Sequence, residues 1–179
     1  TGSTDLFRFS SSTGTNLLTL DKSGTLLFGP SATSSIYLSG GNGSANPNPY
    51  LNSNNVAIGN NTLVYLSPDQ GAQEGSYNIA IGPDALTGSS TVPMLGNHNI
   101  ALGYQTLNKN TDGQDNIAMG FSALFNNTGG GGNIALGNST LAANIDGSNN
   151  VGIGGSVLNA NISGDNNVGI GGSTFTSNL

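Results

Sequence analysis

A five-residue phrase, Asn-[Val/Ile]-[Ala/Gly]-[Ile/Leu/Met]-Gly, recurs seven times, beginning at Asn55, Asn78, Asn99, Asn116, Asn133, Asn150 and Asn167. From Asn99 onward the step is a constant 17 residues, and the two earlier steps are 23 and 21. Eight residues after each starting Asn stands a large apolar residue: Leu63, Leu86, Leu107, Leu124, Leu141, Leu158 and Phe175. Self-similarity at a fixed period is the mark of a solenoid, in which each repeat is one coil stacked on the next. Positions are counted below from the phrase Asn as position one.

The phrase reads as a short strand. Alternation puts positions two and four on one face and the small residue at position three on the other. The Gly at position five permits a turn. A second short strand is expected around Ala123-Leu124 or Thr140-Leu141, followed by a turn such as Asp146-Gly147-Ser148-Asn149. Positions two and four, with the Leu, are expected to supply the interior. Three large apolar residues per coil make that interior thin for the backbone it must order. The small residue then leaves a face that another backbone can approach, so association of several chains is expected.

Stacking also accounts for the composition. The chain has 29 Gly, 27 Asn and only 7% charged residues. A charge at a repeated position meets its own like about 4.8 Å away, whereas a stacked Asn hydrogen-bonds to the Asn above and below. Gly and Asn disfavour long helices. Three Lys and Arg in all (Arg8, Lys22 and Lys109) are too few for a nucleic-acid surface. No apolar run reaches the roughly 18 residues of a membrane span, so no membrane insertion is expected.

Residues 1–50 follow another pattern. Leu6-Phe7-Arg8-Phe9, Leu17-Leu18-Thr19-Leu20, Thr25-Leu26-Leu27-Phe28 and Ile36-Tyr37-Leu38 are strand candidates, with Asp21-Lys22-Ser23-Gly24 as a hairpin loop. The run Gly40 to Pro49 is a loop and marks the boundary. The expected division is a small N-terminal β-domain over 1–50, a cap or adaptor, and a repeat domain of seven coils over 51–179. The chain opens Thr1-Gly2-Ser3 and closes within a repeat at Leu179, so it is expected to belong to a longer polypeptide.

Asn55-Val56-Ala57-Ile58-Gly59 and Asn133-Ile134-Ala135-Leu136-Gly137 resemble the repeat of trimeric autotransporter adhesin heads, the YadA-like left-handed β-roll. The wider form Asn99-Ile100-Ala101-Leu102-Gly103-Tyr104-Gln105-Thr106-Leu107 resembles repeats of phage tail fibres and related bacterial adhesive fibres. The resemblance covers about 55–179, and the 17-residue coil is longer than that of the adhesin heads. It implies a homotrimer, intertwined or side by side, of all-β parallel solenoids around one axis. It also implies an extracellular place, on a cell surface or a virion fibre.

Chemistry is sparse. His98 is the one histidine and Cys is absent, so no metal site of the His/Cys type is expected, and no cofactor. A Ser-His-Asp triad would have to combine His98 with Asp69, Asp84 or Asp112, and no nucleophile-elbow phrase is present. The carboxylates stand mostly in turn contexts, not as the spaced pair a glycosidase needs. Asp112-Gly113-Gln114-Asp115, Asp146-Gly147 and Gly164-Asp165 read as turns and lack the nonapeptide spacing of calcium-binding rolls. Position eight carries Thr62, Ala85, Thr106, Ala123, Thr140, Val157 and Thr174; this broken Thr column reads as packing beside the Leu column, not as an ice-binding array.

Two insertions stand out. Residues 64–77 carry six residues beyond the regular coil, and 87–98 carry four. Insertions in a solenoid protrude and often form its binding face. Tyr65, Asp69, Gln70, Gln73, Glu74 and Tyr77 in the first, with Met94 and His98 in the second, are the candidate ligand-binding residues; His98 is expected to be a solvated loop residue. Tyr104, Phe121 and Phe125 are expected to pack between chains. The functional expectation is a non-enzymatic attachment fibre for cell-envelope glycans or proteins. A plain shaft or spacer and a polysaccharide depolymerase are the alternatives.

Overall fold

A computed structural model describes residues 55–63, 75–88 and 96–176, and the backbone of four strands nearer the N-terminus. Three of those, β1 (Phe7–Ser10), β2 (Asn16–Leu20) and β3 (Leu26–Phe28), form an antiparallel sheet in that order. The loop between β2 and β3, and the Gly40–Pro49 boundary, lie outside the described residues. The fourth strand, β4 (Ile36–Leu38), starts a parallel ladder.

The seven phrases become seven three-residue strands: β5 (Val56–Ile58), β6 (Ile79–Ile81), β7 (Ile100–Leu102), β8 (Ile117–Met119), β9 (Ile134–Leu136), β10 (Val151–Ile153) and β11 (Val168–Ile170). They stack in chain order behind β4 as one eight-stranded parallel sheet. Equivalent positions pair directly: Ile100 with Ile117, Ala101 with Ala118, Leu102 with Met119. Ile36 pairs with Val56, so β4 joins the ladder in the same register. This is an all-β parallel solenoid, and the described residues contain no helix.

The interior differs from expectation. Ala57, Ala80, Ala101, Ala118 and Ala135, the small residues at position three, are buried with the Leu column. Positions two and four point outward: β6 alternates exposed, buried, exposed, and the outward side chains of the other phrase strands are exposed or half-buried. The faces are therefore reversed. The cause is width. One coil must close within 17 residues, and the strand faces the Leu at position nine across a space that accepts a methyl group. Close packing leaves no room there for two further branched side chains. Where position three is Gly, the position-eight side chain of the preceding coil lies close: a Cβ added at Gly152 would lie 2.5 Å from Thr140 Cγ2, and one at Gly169 2.6 Å from Val157 Cγ1.

The expected second strand is also absent. Ala123-Leu124 and Thr140-Leu141 lie in turns. The buried Leu residues sit in the left-handed region, with φ of 50° at Leu124 and 53° at Leu141. Positions seven and seventeen do the same, as at Ser122 (φ 51°) and Asn149 (φ 58°). Such a conformation costs a bulky L-residue about 1–2 kcal/mol. Two effects offset it. Complete burial of a Leu contributes roughly 1.5–3 kcal/mol. The reversals also aim backbone groups along the stack, so Ser122 N donates back to Tyr104 O (2.9 Å) and Leu124 N forward to Thr140 O (3.0 Å). The turns thus join the inter-coil ladder as strands would, without strand dihedrals.

Asn and Gly close the remaining interior. Asn116 N donates to Asn99 Oδ1 (3.0 Å), and Asn133 N to Asn116 Oδ1 (2.9 Å). The Asn116 Nδ2 group donates to Gly130 O (2.9 Å), and a second column repeats the device from the other side, with Asn127 Nδ2 also donating to Gly130 O (2.8 Å). The second column is itself a ladder: Asn144 Nδ2 donates to Asn127 Oδ1 (2.9 Å). The expected Asn stack is present, strengthened by a Gly carbonyl that accepts two amides per coil. Gly is required where coils touch. At Gly103 (φ 132°) a Cβ would lie 2.5 Å from Gly120 O, and at Gly113 one would lie 2.5 Å from Gly130 O.

Candidate functional site

The reversed interior produces the main surface feature. Two columns of large aliphatic side chains run outward along the parallel sheet, at positions two and four of every rung from β5 to β11. Ile81 is 38% exposed and Met119 42%. Parallel sheets are normally covered on both faces, and their strands read as continuous apolar runs. Here one face is covered by the chain's own Ala, Leu and Asn, and the side chains of the other are half-buried to exposed. The width of two side chains and seven rungs at about 4.8 Å make a continuous strip roughly 30 Å long. Uncovered strips of this kind mark interaction surfaces.

The candidate residues of the insertions divide by position. Tyr65, Asp69, Gln70, Gln73, Glu74 and Met94 lie outside the described residues. Tyr77 and His98 are described, and the fold brings them together although 21 residues separate them in sequence. Both occupy position seventeen, so they stack on consecutive coils, with ring centroids 5.2 Å apart and planes 11° from parallel. His98 Nδ1 lies 3.7 Å from Asp115 Oδ1 on the following coil. His98 is thus exposed, as expected, but it belongs to a Tyr77-His98-Asp115 column. Its carboxylate neighbour is Asp115, which was not among the partners weighed for it.

On the opposite side of the strip, Tyr104 and Phe121 occupy position six of consecutive coils. Their rings stand 5.5 Å apart at 31°. Lys109 Nζ lies 4.9 Å from the Phe125 ring centre and donates to Asn126 Oδ1 (2.9 Å). The sequence reading singled out these aromatics without placing them beside the strip. The Thr62, Thr106 and Thr140 side chains are buried beside the Leu column, so they present no Thr array to solvent. Among the turn acids, Asp165 Oδ1 accepts Ser148 N (2.7 Å), a bond between neighbouring coils.

Among the described residues no three His, Cys, Asp or Glu side chains gather. An open cleft of about 460 Å³ lies against the turn that closes the β10 coil, lined in part by Asn161, Ile162, Ser163 and Asp165, and Asp165 is the one ionisable group in its lining. What the described surface offers is contact area: a long apolar strip bordered by aromatic side chains. In comparisons with family models, curated proteins and solved structures, the chain matches none.

Proposed function

We propose that this chain is a segment of a homotrimeric, extracellular attachment fibre that binds cell-envelope glycans or proteins and carries out no catalysis. The observation behind it is the bare aliphatic strip along the ladder. Of the fourteen outward side chains, six are more than a third exposed and eight are half-buried. At on the order of 0.5 kcal/mol each when covered, two positions on each of seven rungs give roughly 7 kcal/mol per chain. That falls within the range of about 4–15 kcal/mol lost in freedom on association. A partner with the same straight, evenly spaced rungs matches the strip along its whole length, and a second copy of this chain is such a partner. The number three comes from the resemblance to adhesin heads and tail fibres.

In this reading the strips face the common axis and the two insertions project from the shaft. Binding is assigned to the insertions because they alone break the 17-residue regularity at length. The mass of the protein in solution tests the assembly, and three chains per particle is the expected result. Attachment to whole cells and to arrayed envelope glycans tests the binding. Retained attachment after both insertions are cut to the 17-residue coil would favour the shaft alternative instead. Shortening of capsular polysaccharide or lipopolysaccharide chains on incubation would favour a depolymerase.

A further inference from the structure

Both insertions come back to the coil at one column. The Asn55 Nδ2 group donates to Gly75 O (2.7 Å) and Asn78 Nδ2 to Gly96 O (3.0 Å), the bond that Asn116 makes to Gly130 in a coil without an insertion. Gly75 and Gly96 therefore occupy position fifteen, and each stands two residues before a ring of the Tyr77-His98 stack. Two insertions of unequal length thus end beside the same side chains on adjacent coils. The ladder holds that column from behind. His98 N donates to Ser76 O (3.1 Å), Asp115 N to Asn97 O (3.1 Å), and Ser76 N to Asn97 Oδ1 (2.7 Å).

Two observations separate the Tyr77-His98-Asp115 column from ordinary surface variation. The first is backbone strain. Position seventeen is left-handed, and later coils fill it with Gly132, Asn149 and Asn166, the residue types suited to that conformation. Tyr77 (φ 59°) and His98 (φ 58°) hold it with bulky rings. Strain of this kind concentrates at ligand clamps. The second is unused polar capacity. The stacked rings cover one face of each other and leave their edges outward. The 3.7 Å between His98 Nδ1 and Asp115 Oδ1 is too long for a hydrogen bond, and no other described side chain bonds to the three. The His98 and Asp115 side chains are 55% and 70% exposed. A phenol, an imidazole and a carboxylate therefore stand open in one line, two coil steps or about 10 Å long.

We infer that this column is a saccharide-binding site for a neutral glycan of at least two sugar units. The inference deepens the proposed attachment role and rests on it. The polar tips set the ligand class. A carboxylate only accepts, and its two oxygens take neighbouring hydroxyls together, whereas a phenol and a neutral imidazole each donate and accept. Sugar hydroxyls do both, so they satisfy all three groups. Charge narrows the class. The chain carries a net charge of -6, and Asp112 stands three residues from Asp115. Lys109, the one Lys or Arg in residues 55–63, 75–88 and 96–176, is held on the Phe125 ring and Asn126. None of these residues is free to neutralise a uronate or a phosphate, and an acidic glycan meets Asp115 as a like charge.

The test is attachment to arrayed neutral and acidic envelope glycans, with urea unfolding measured on the same proteins. The parent is expected to attach to neutral members. Tyr77→Asn with His98→Asn installs the residue found at Asn149 and Asn166 and relieves the backbone. It is expected to lower attachment at least tenfold with a urea midpoint equal to or above the parent's. Tyr77→Phe with Asp115→Asn keeps the ring, the stack and the backbone and removes only hydrogen-bonding groups. It is also expected to lower attachment at least tenfold, and it decides the matter if the Asn pair unfolds. A Tyr77→Phe and Asp115→Asn variant that attaches within twofold of the parent overturns the site and leaves the attachment role standing. So does a parent that attaches only to acidic glycans, or to envelope proteins and no glycan. A parent that attaches to nothing overturns both.

Discussion

Replacing Asn116 tests the interior network most directly. In Asn116→Ala, the bonds from Nδ2 to Gly130 O and to Asn99 Oδ1 (3.1 Å) disappear, and the Asn133 amide, buried, loses its acceptor. Gly130 O keeps the Asn127 amide, and Asn99 Oδ1 keeps the Asn116 backbone N–H, so one group is orphaned rather than three. An orphaned buried amide costs about 1–3 kcal/mol, and the lost bonds and volume add about 1, for a loss of roughly 2–4 kcal/mol. Asn116→Asp separates acceptor from donor. One carboxylate oxygen still accepts Asn133 N–H, but the other faces Gly130 O and Asn99 Oδ1, both acceptors. Lys109, the one Lys or Arg in residues 55–63, 75–88 and 96–176, has its ammonium at the surface on Asn126.

Burial and these acceptors raise the folded-state pKa of the new carboxyl above its ordinary value of about 3.9. The sign follows from linkage. Below about pH 4 both states hold the proton and the ionisation penalty is absent. As pH rises the unfolded chain ionises first, and stability falls by up to about 1.4 kcal/mol per pH unit until the folded-state pKa is passed. Urea unfolding followed by circular dichroism, with the parent measured at each pH, is the assay. The Asp variant should be less stable than the Ala variant at pH 7 and more stable at pH 3.5, where its hydroxyl donates to Gly130 O. A pH profile for Asn116→Asp parallel to the parent's, or a loss below about 0.5 kcal/mol for Asn116→Ala, would refute the network account.

Leu124→Ala should cost about 3–5 kcal/mol in the same urea assay, because the side chain is fully buried and the stacked coils above and below prevent collapse. Gly120→Ala combines φ of 127° with a Cβ 2.7 Å from Gly137 O, so a loss above about 3 kcal/mol or no soluble protein is expected. Gly152→Ala should be milder, about 1–2 kcal/mol, since the Thr140 methyl it meets belongs to a side chain; Thr140→Ser in the same protein should recover most of it. Ile100→Lys with Ile134→Lys, on the outward face, should leave the circular dichroism intact and reduce the mass in solution to that of one chain.

The 17-residue period, the phrase strand of each coil, the parallel stack and the Asn ladder were all legible in the residues. Each follows from local alternation and from the rule that stacked equivalents must tolerate one another. The strand candidates of residues 1–50 were legible for the same reason: β1 to β4 fall on the short apolar runs. Two features were not. Alternation says that Ile100 and Leu102 share a face opposite Ala101, but either face satisfies it. The choice belongs to the closed cross-section, whose width accepts Ala101 and refuses the two larger side chains. Likewise the Leu at position nine looks like a strand residue by hydrophobicity. Its left-handed backbone is imposed by the need to turn the chain within a few residues while sending its amide to the next coil. The pairing of Tyr77 with His98, and of His98 with Asp115, required the stack as well, because two unequal insertions hide the shared position until the coils are laid one on another. Sequence alone determined the repeat and the direction of stacking; closure of the coil decided which apolar face it kept and which it left bare.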